Sequence, residues 1–100
     1  MKSYIPKSFE LGGIEWKVKH GSHNSEGNFG HTDIMKSEVI VKSKYNGKEF
    51  CKQQQEQTFY HELSHTILIT MNEHELNENE KFVDVLGQFI YQFMKSAKWK

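Results

Sequence analysis

His61 and His65 stand four residues apart, with Glu62 directly after the first, inside the stretch TFYHELSHTIL from 58 to 68. On a helix, residues i and i+4 lie one above the other on one face. Two imidazoles placed in this way can share a tetrahedral Zn2+ ion, and a catalytic zinc takes three protein ligands and keeps a fourth position open. Glu62 is turned by about 100° around the helix axis from His61. That sets it beside such an ion rather than on it. A carboxylate there can take a proton from a water whose pKa zinc lowers to about 7, while the metal polarises a carbonyl. Handing the proton to a leaving amine would complete general acid–base hydrolysis of a peptide bond. Two metal-free histidines on a solvated helix face satisfy the same spacing, so the surrounding sequence has to weigh in. Phe59, Tyr60, Leu63, Ile67 and Leu68 follow helical spacing around the motif, which favours the metal reading.

A third ligand has to come from elsewhere, and NEKFVDVLG, residues 79 to 87, is the best stretch. Glu80 and Asp84 are four apart and share a helix face with Gly87, where a missing side chain would let two helices approach closely. Glu80 is the expected ligand. Asp84 is expected to accept a hydrogen bond from the far nitrogen of a ligating histidine. Two alternatives stand beside this. Asp84 or Glu78 could be the ligand. Asn77-Glu78-Asn79-Glu80 also reads as a capping box with Asn77 as N-cap and Glu80 at N3. Cys51, ten residues before His61 and without a second cysteine, is not expected to be a ligand. A group to stabilise a transition state is harder to find. His31 and Tyr91 are the leading candidates, with His20 and His23 behind them, and each also fits a surface or structural role. Tyr91 shares the face of Glu80 but lies about 16 Å along the axis from it at 1.5 Å per residue. His74 sits in a polar stretch and reads as solvated.

The elements that would hold these groups follow from pattern. Gly12-Gly13 in FELGGIEWKV is a hairpin signal, and Ile14, Trp16 and Val18 alternate with charged residues as in a half-buried strand. GSHNSEGNFGHTD reads as a loop. SEVIVKSKY is β-branched at its centre and reads as a strand, broken by Asn46-Gly47. Strands are therefore expected within about 8–44. An active-site helix is expected over about 49–71, with its Gln-rich start solvated. NEHELNENE reads as a polar connection, and a second helix is expected over about 78–97. That helix carries Phe82, Leu86, Phe89, Ile90, Phe93 and Ala97 at a strong 3.6 period. Strands first and long helices after argue an α+β fold in a single domain, 1–100. Trp16 and Trp99 are read as packing residues.

The 100 residues suit one modest core. Thirteen basic residues balance thirteen acidic ones, so no whole-chain field draws in nucleic acid or an anionic membrane. With 36% hydrophobic residues and a single cysteine, the composition is that of a small globular protein without an internal disulfide, which fits a reducing compartment. No apolar run reaches signal-peptide or membrane-span length. A soluble, cytoplasmic protein with one zinc per chain is expected, with no nucleic acid and no membrane partner.

Four pieces in order, FELGGIEWKV, GHTDIMKSEVIV, QTFYHELSHTIL and NEKFVDVLGQFIYQFM, resemble small gluzincin-type metallopeptidases of phages and prophage regions. These are distant relatives of the ImmA/IrrE and SprT-like groups. NEKFVD also looks like the glutamate helix of thermolysin-like enzymes. The resemblance implies a minimal zincin core, with Glu80 as third zinc ligand, Asp84 as support and a location in the host cytoplasm. It implies that extended peptide or protein substrate adds along an edge strand above the metal, here about 38–44. Lys36, Lys42 and Lys44 would fit an exposed, protected edge. A zinc-stapled regulatory or protein-binding module without catalysis is the alternative.

Overall fold

A computed structural model describes residues 3–21, 29–45 and 47–99. Strands β1 (Ser8–Leu11) and β2 (Ile14–Gly21) form the expected antiparallel hairpin. Its turn sits at Gly12 and Gly13, with φ of 58° and 82°, a pair of left-handed conformations that glycine adopts without steric cost. Strands β3 (Gly30–Asp33) and β4 (Glu38–Lys42) form a second antiparallel pair. β4 then lies parallel to β2, giving a four-stranded mixed sheet in the order β1-β2-β4-β3. A two-stranded ribbon, β5 (Lys44–Tyr45) and β6 (Lys48–Glu49), precedes three helices, α1 (Lys52–Thr70), α2 (His74–Glu78) and α3 (Glu80–Ser96). The fold is α+β, as the order of patterns implies.

The sheet packs on one side of α1. Val39 and Val41, alternating along β4, are fully buried and join Trp16, Phe59, Tyr60 and Tyr91 in one core cluster. Phe9 stacks on Trp16 with centroids 6.5 Å apart and meets the edge of Phe59 at 5.9 Å. Trp16 is 3% exposed, and its Nε1–H has no partner. Because α1 is covered by the sheet and also by α3, its polar residues are buried too. Ser64 and Thr66, both 0% exposed, donate to the carbonyls of Tyr60 and Glu62 four residues earlier, each at 2.9 Å. Asn72, with φ of 63°, ends α1. The N–H groups of Glu73 and Asn72 bond to the carbonyls of Leu68 and Ile69, the bonds of a Schellman cap.

Three expectations need correction. GHTD is strand β3, not loop. Its residues have little β propensity, but pairing with β4 satisfies their backbone, and that context outweighs propensity. The polar connection contains a short helix, α2, which buries no residue and so leaves no apolar stripe to read. The 38–44 segment is not an edge. β4 has a neighbour on each side, Lys42 is 3% exposed, and the outer strands are β1 and β3. In α3 the Gly87 face packs on α1 as read from the sequence, and of the apolar stripe only Ile90 packs against the core cluster. Val83, Gly87 and Tyr91 are the residues α3 buries, while Phe89 stays 66% and Phe93 55% exposed. Gly87 explains why this face wins. A Cβ there would lie 2.8 Å from the carbonyl oxygen of Tyr60, so only glycine lets α3 sit this close to α1. Among the described residues no helix is long and apolar enough to cross a membrane.

Candidate metal centre

His61 and His65 lie on the side of α1 that faces the start of α3, their rings 5.0 Å apart. Glu80 is the first residue of α3, where a carboxylate is favoured by the helix dipole. The cap of α3 is Asn79, whose side chain accepts from the Phe82 N–H at 3.1 Å. The capping-box alternative with Asn77 as N-cap is thereby corrected. With the capping done by Asn79, Glu80 is free to turn toward α1. One of its oxygens is 3.3 Å from His61 Nε2 and the other 3.3 Å from His65 Nε2. His61, His65 and Glu80 each offer one ligand atom, and these atoms all lie within 4.8 Å of one another. Donors held about 2.0–2.2 Å from a tetrahedral zinc stand roughly 3.3 Å apart. Two nitrogens and a carboxylate grouped in this way could hold a metal ion.

The outer nitrogens have partners as well. His65 Nδ1 is 2.7 Å from Asn77 Oδ1. With that oxygen as acceptor, the ring proton sits on Nδ1 and the Nε2 lone pair faces Glu80. His61 Nδ1 is 3.5 Å from Asp84 Oδ1, so Asp84 stands where it was expected, behind a histidine. Asp84 also accepts from Gln88 Nε2 at 2.9 Å. Glu78 and Cys51 do not belong to the cluster.

Glu62 is 8% exposed and takes a hydrogen bond from Thr32 Oγ1 at 2.7 Å on its Oε1. Thr32 comes from β3, and Gly30 in the same strand lets β3 press onto α1. A Cβ at Gly30 would fall 2.7 Å from Thr58 Cγ2 and 3.1 Å from Glu62 Cγ. Two adjoining clefts open here, of about 370 and 440 Å3, and they share Gly30, His61, Glu62 and Glu80. Together they form a groove along β3. Glu80 and Asp84 face solvent, with side chains 69% and 58% exposed.

No family model, curated protein or solved structure matches this chain.

The other sequence candidates divide. His31 lines the groove on the His65 side. Tyr91 does not reach it. Its hydroxyl donates to Glu56 Oε1 at 2.6 Å inside the core, on the packing face of α3 but far down the helix, which corrects its candidacy. Burial, then the Glu56 hydrogen bond and charge, push its phenol far above the usual tyrosine range. His20 is exposed near the end of β2, His74 opens α2 in solvent, and His23 lies outside the described residues. Sequence reasoning missed Thr32, Asn77 and the groove-lining Gln54 and Gln57. Asn77 was legible only as a cap. Thr32 meets Glu62 across thirty residues of sequence and leaves no local signal.

Proposed function

We propose that this chain is a zinc-dependent peptidase of gluzincin type, with His61, His65 and Glu80 as ligands and Glu62 as general base. The observation that carries the reading is the convergence of three zinc-compatible donors with a buried carboxylate in one groove. When bound there, zinc supplies a Lewis acid and a water acidic enough to react near neutral pH. The chain's residues supply the rest. Asn77 and Asp84 orient the two imidazoles. Thr32 occupies Oε1 of Glu62, which leaves Oε2 to take the proton and later return it to the leaving amine. An extended peptide would add to β3, the free edge beside the groove, in place of the segment first expected. His31 is the groove residue available to a developing oxyanion. The competing reading is a zinc staple between α1 and α3 without turnover, favoured by ligands that come from two already packed helices.

Metal analysis of untagged protein, paired with cleavage of a peptide library, tests both. About one zinc per chain is expected. His65→Ala should lose it. Glu62→Gln should keep the zinc and lose cleavage. Cleavage by Glu62→Gln at the wild-type rate would overturn the peptidase mechanism, and zinc retained at full occupancy by His65→Ala would overturn the ligand set. Zinc bound with no cleavage by the wild type would leave the staple.

A further inference from the structure

The face of α3 opposite the metal centre has a pattern of its own. Phe82, Leu86, Phe89 and Phe93 are spaced by four, three and four residues. At 100° per residue they fall within about 60° of one another, while Glu80 and Asp84 each lie about 160° from Phe82. The four-three-four step is the a/d seam of a coiled coil, here on a helix that packs on α1 through Val83, Gly87 and Tyr91 of its other face. Leu86 is half-buried, and Phe82, Phe89 and Phe93 are 38, 66 and 55% exposed. Trp99, 78% exposed, extends the patch past the helix end, its ring 6.0 Å from Phe93.

We propose that α3 pairs antiparallel with α3 of a second copy of this chain. Self-complementarity argues for this occupant. A two-fold contact needs residue i to meet j while j meets i, and the spacing of this seam reads the same in both directions. Reversing the helix about the point between Gly87 and Gln88 places Phe82 on Phe93 and Leu86 on Phe89. Each dimer would therefore hold two pairs of either kind. Area argues the same way. The exposed parts of Phe82, Val85, Phe89, Phe93 and Trp99 amount to roughly 500 Å2 per copy, if a large aromatic side chain offers about 200 Å2. That lies in the upper half of the patch sizes monomers tolerate, about 300–600 Å2. It lies below the roughly 800 Å2 per partner of a standard interface and in the range of weak, transient ones. A weak, reversible dimer is expected. One flank carries Val85, Gln88 and Gln92, which have no charge, and a single lysine, Lys81. The metal centre is on the opposite side of α3, so the groove stays open in the dimer. The proposal does not depend on the metal.

Sedimentation velocity across the micromolar range tests it, with circular dichroism to verify folding. The wild type should dimerise reversibly. Phe89→Glu should weaken the dimer by roughly 100-fold, as a charge buried at an interface centre does. Phe89→Ser, a gentler change at the same exposed site, should weaken it about 10-fold or more. The register is read by charge exchange. Phe82→Glu and Phe93→Lys should each disrupt association, and the double variant should restore it, because in the antiparallel arrangement each new acid faces a new base. A wild type that stays monomeric, a dimer indifferent to Phe89→Glu, or a double variant no better than the single ones would overturn the proposal. So would a monomer that binds anionic phospholipid vesicles through Phe89.

Discussion

Glu62 is held at two points by hydrogen bonds. Its backbone carbonyl accepts from Thr66, and its Oε1 accepts from Thr32. A carboxylate fixed at one oxygen presents the other in a defined direction, and this is what a proton-transfer group needs. Thr32→Val removes the donor while keeping the shape. It should leave zinc content unchanged and slow peptide cleavage roughly ten-fold, as the loss of about 1.4 kcal/mol of positioning would. Thr32→Ser should restore most of the rate. A Val variant as fast as wild type would show that Glu62 needs no such support. At this scale the sequence speaks clearly wherever the geometry is local. His61, Glu62 and His65 are legible because a helix converts spacing into direction. Glu80 and Asp84 are legible because the same rule applies to α3. Asn77 and Thr32 are not, because their contacts depend on where a short helix and a distant strand come to rest.

The metal centre depends on the approach of two helices. Gly87 stands against the backbone of Tyr60 and His61, directly below the position where Glu80 reaches across. Gly87→Ala would place a methyl group 2.8 Å from a carbonyl oxygen and force α1 and α3 apart. The expected cost is about 1–3 kcal/mol in stability, typical of overpacking. Zinc affinity should fall with it, because Glu80 retreats from the histidines. Urea denaturation and a competitive zinc titration would measure both, and unchanged affinity would mean that the ligands tolerate the shift. The same glycine explains why α3 was only half legible. Its period announces an apolar face, but a period does not say what covers that face. The glycine-marked face packs on α1, and the aromatic stripe turns outward. The sheet was half legible for a related reason. Alternation marks Trp16 as inward and the β-branched run 39–41 reads as a strand, but strand order is set by pairings far apart in sequence. The parallel match of β2 with β4 is what moved the free edge to β3.

Across the whole molecule, one buried carboxylate ties three regions together. Glu56, 4% exposed, accepts from Tyr91 Oη in α3 and from the backbone N–H of Tyr4, while Tyr60 Oη donates to the Tyr4 carbonyl at 2.6 Å. Burial first, and then the charge of Glu56, push the phenols of both Tyr60 and Tyr91 upward. The folded state therefore holds these protons more tightly than the unfolded chain. Their contribution to stability is complete below about pH 10, the ordinary tyrosine value, and is lost as pH rises beyond it. Urea midpoints measured from pH 7 to 11 should fall on the alkaline side. Tyr91→Phe should lower stability at neutral pH by about 1–3 kcal/mol, because Glu56 Oε1 loses its donor inside the core. It should also make the alkaline decline shallower. A wild-type midpoint that stays level to pH 11 would contradict this assignment. Nothing in the sequence marks Glu56. It reads as one more polar residue in a Gln-rich run, and only the packing of three elements around it gives it a role.

The two tryptophans divide this molecule optically. Trp16 sits in the core with no partner for its indole N–H, while Trp99 stands in solvent at the end of the aromatic stripe. Iodide should quench the red-shifted emission of Trp99 and spare the blue-shifted emission of Trp16. Unfolding would then be followed through one ring and association through the other, in a single sample and without a label.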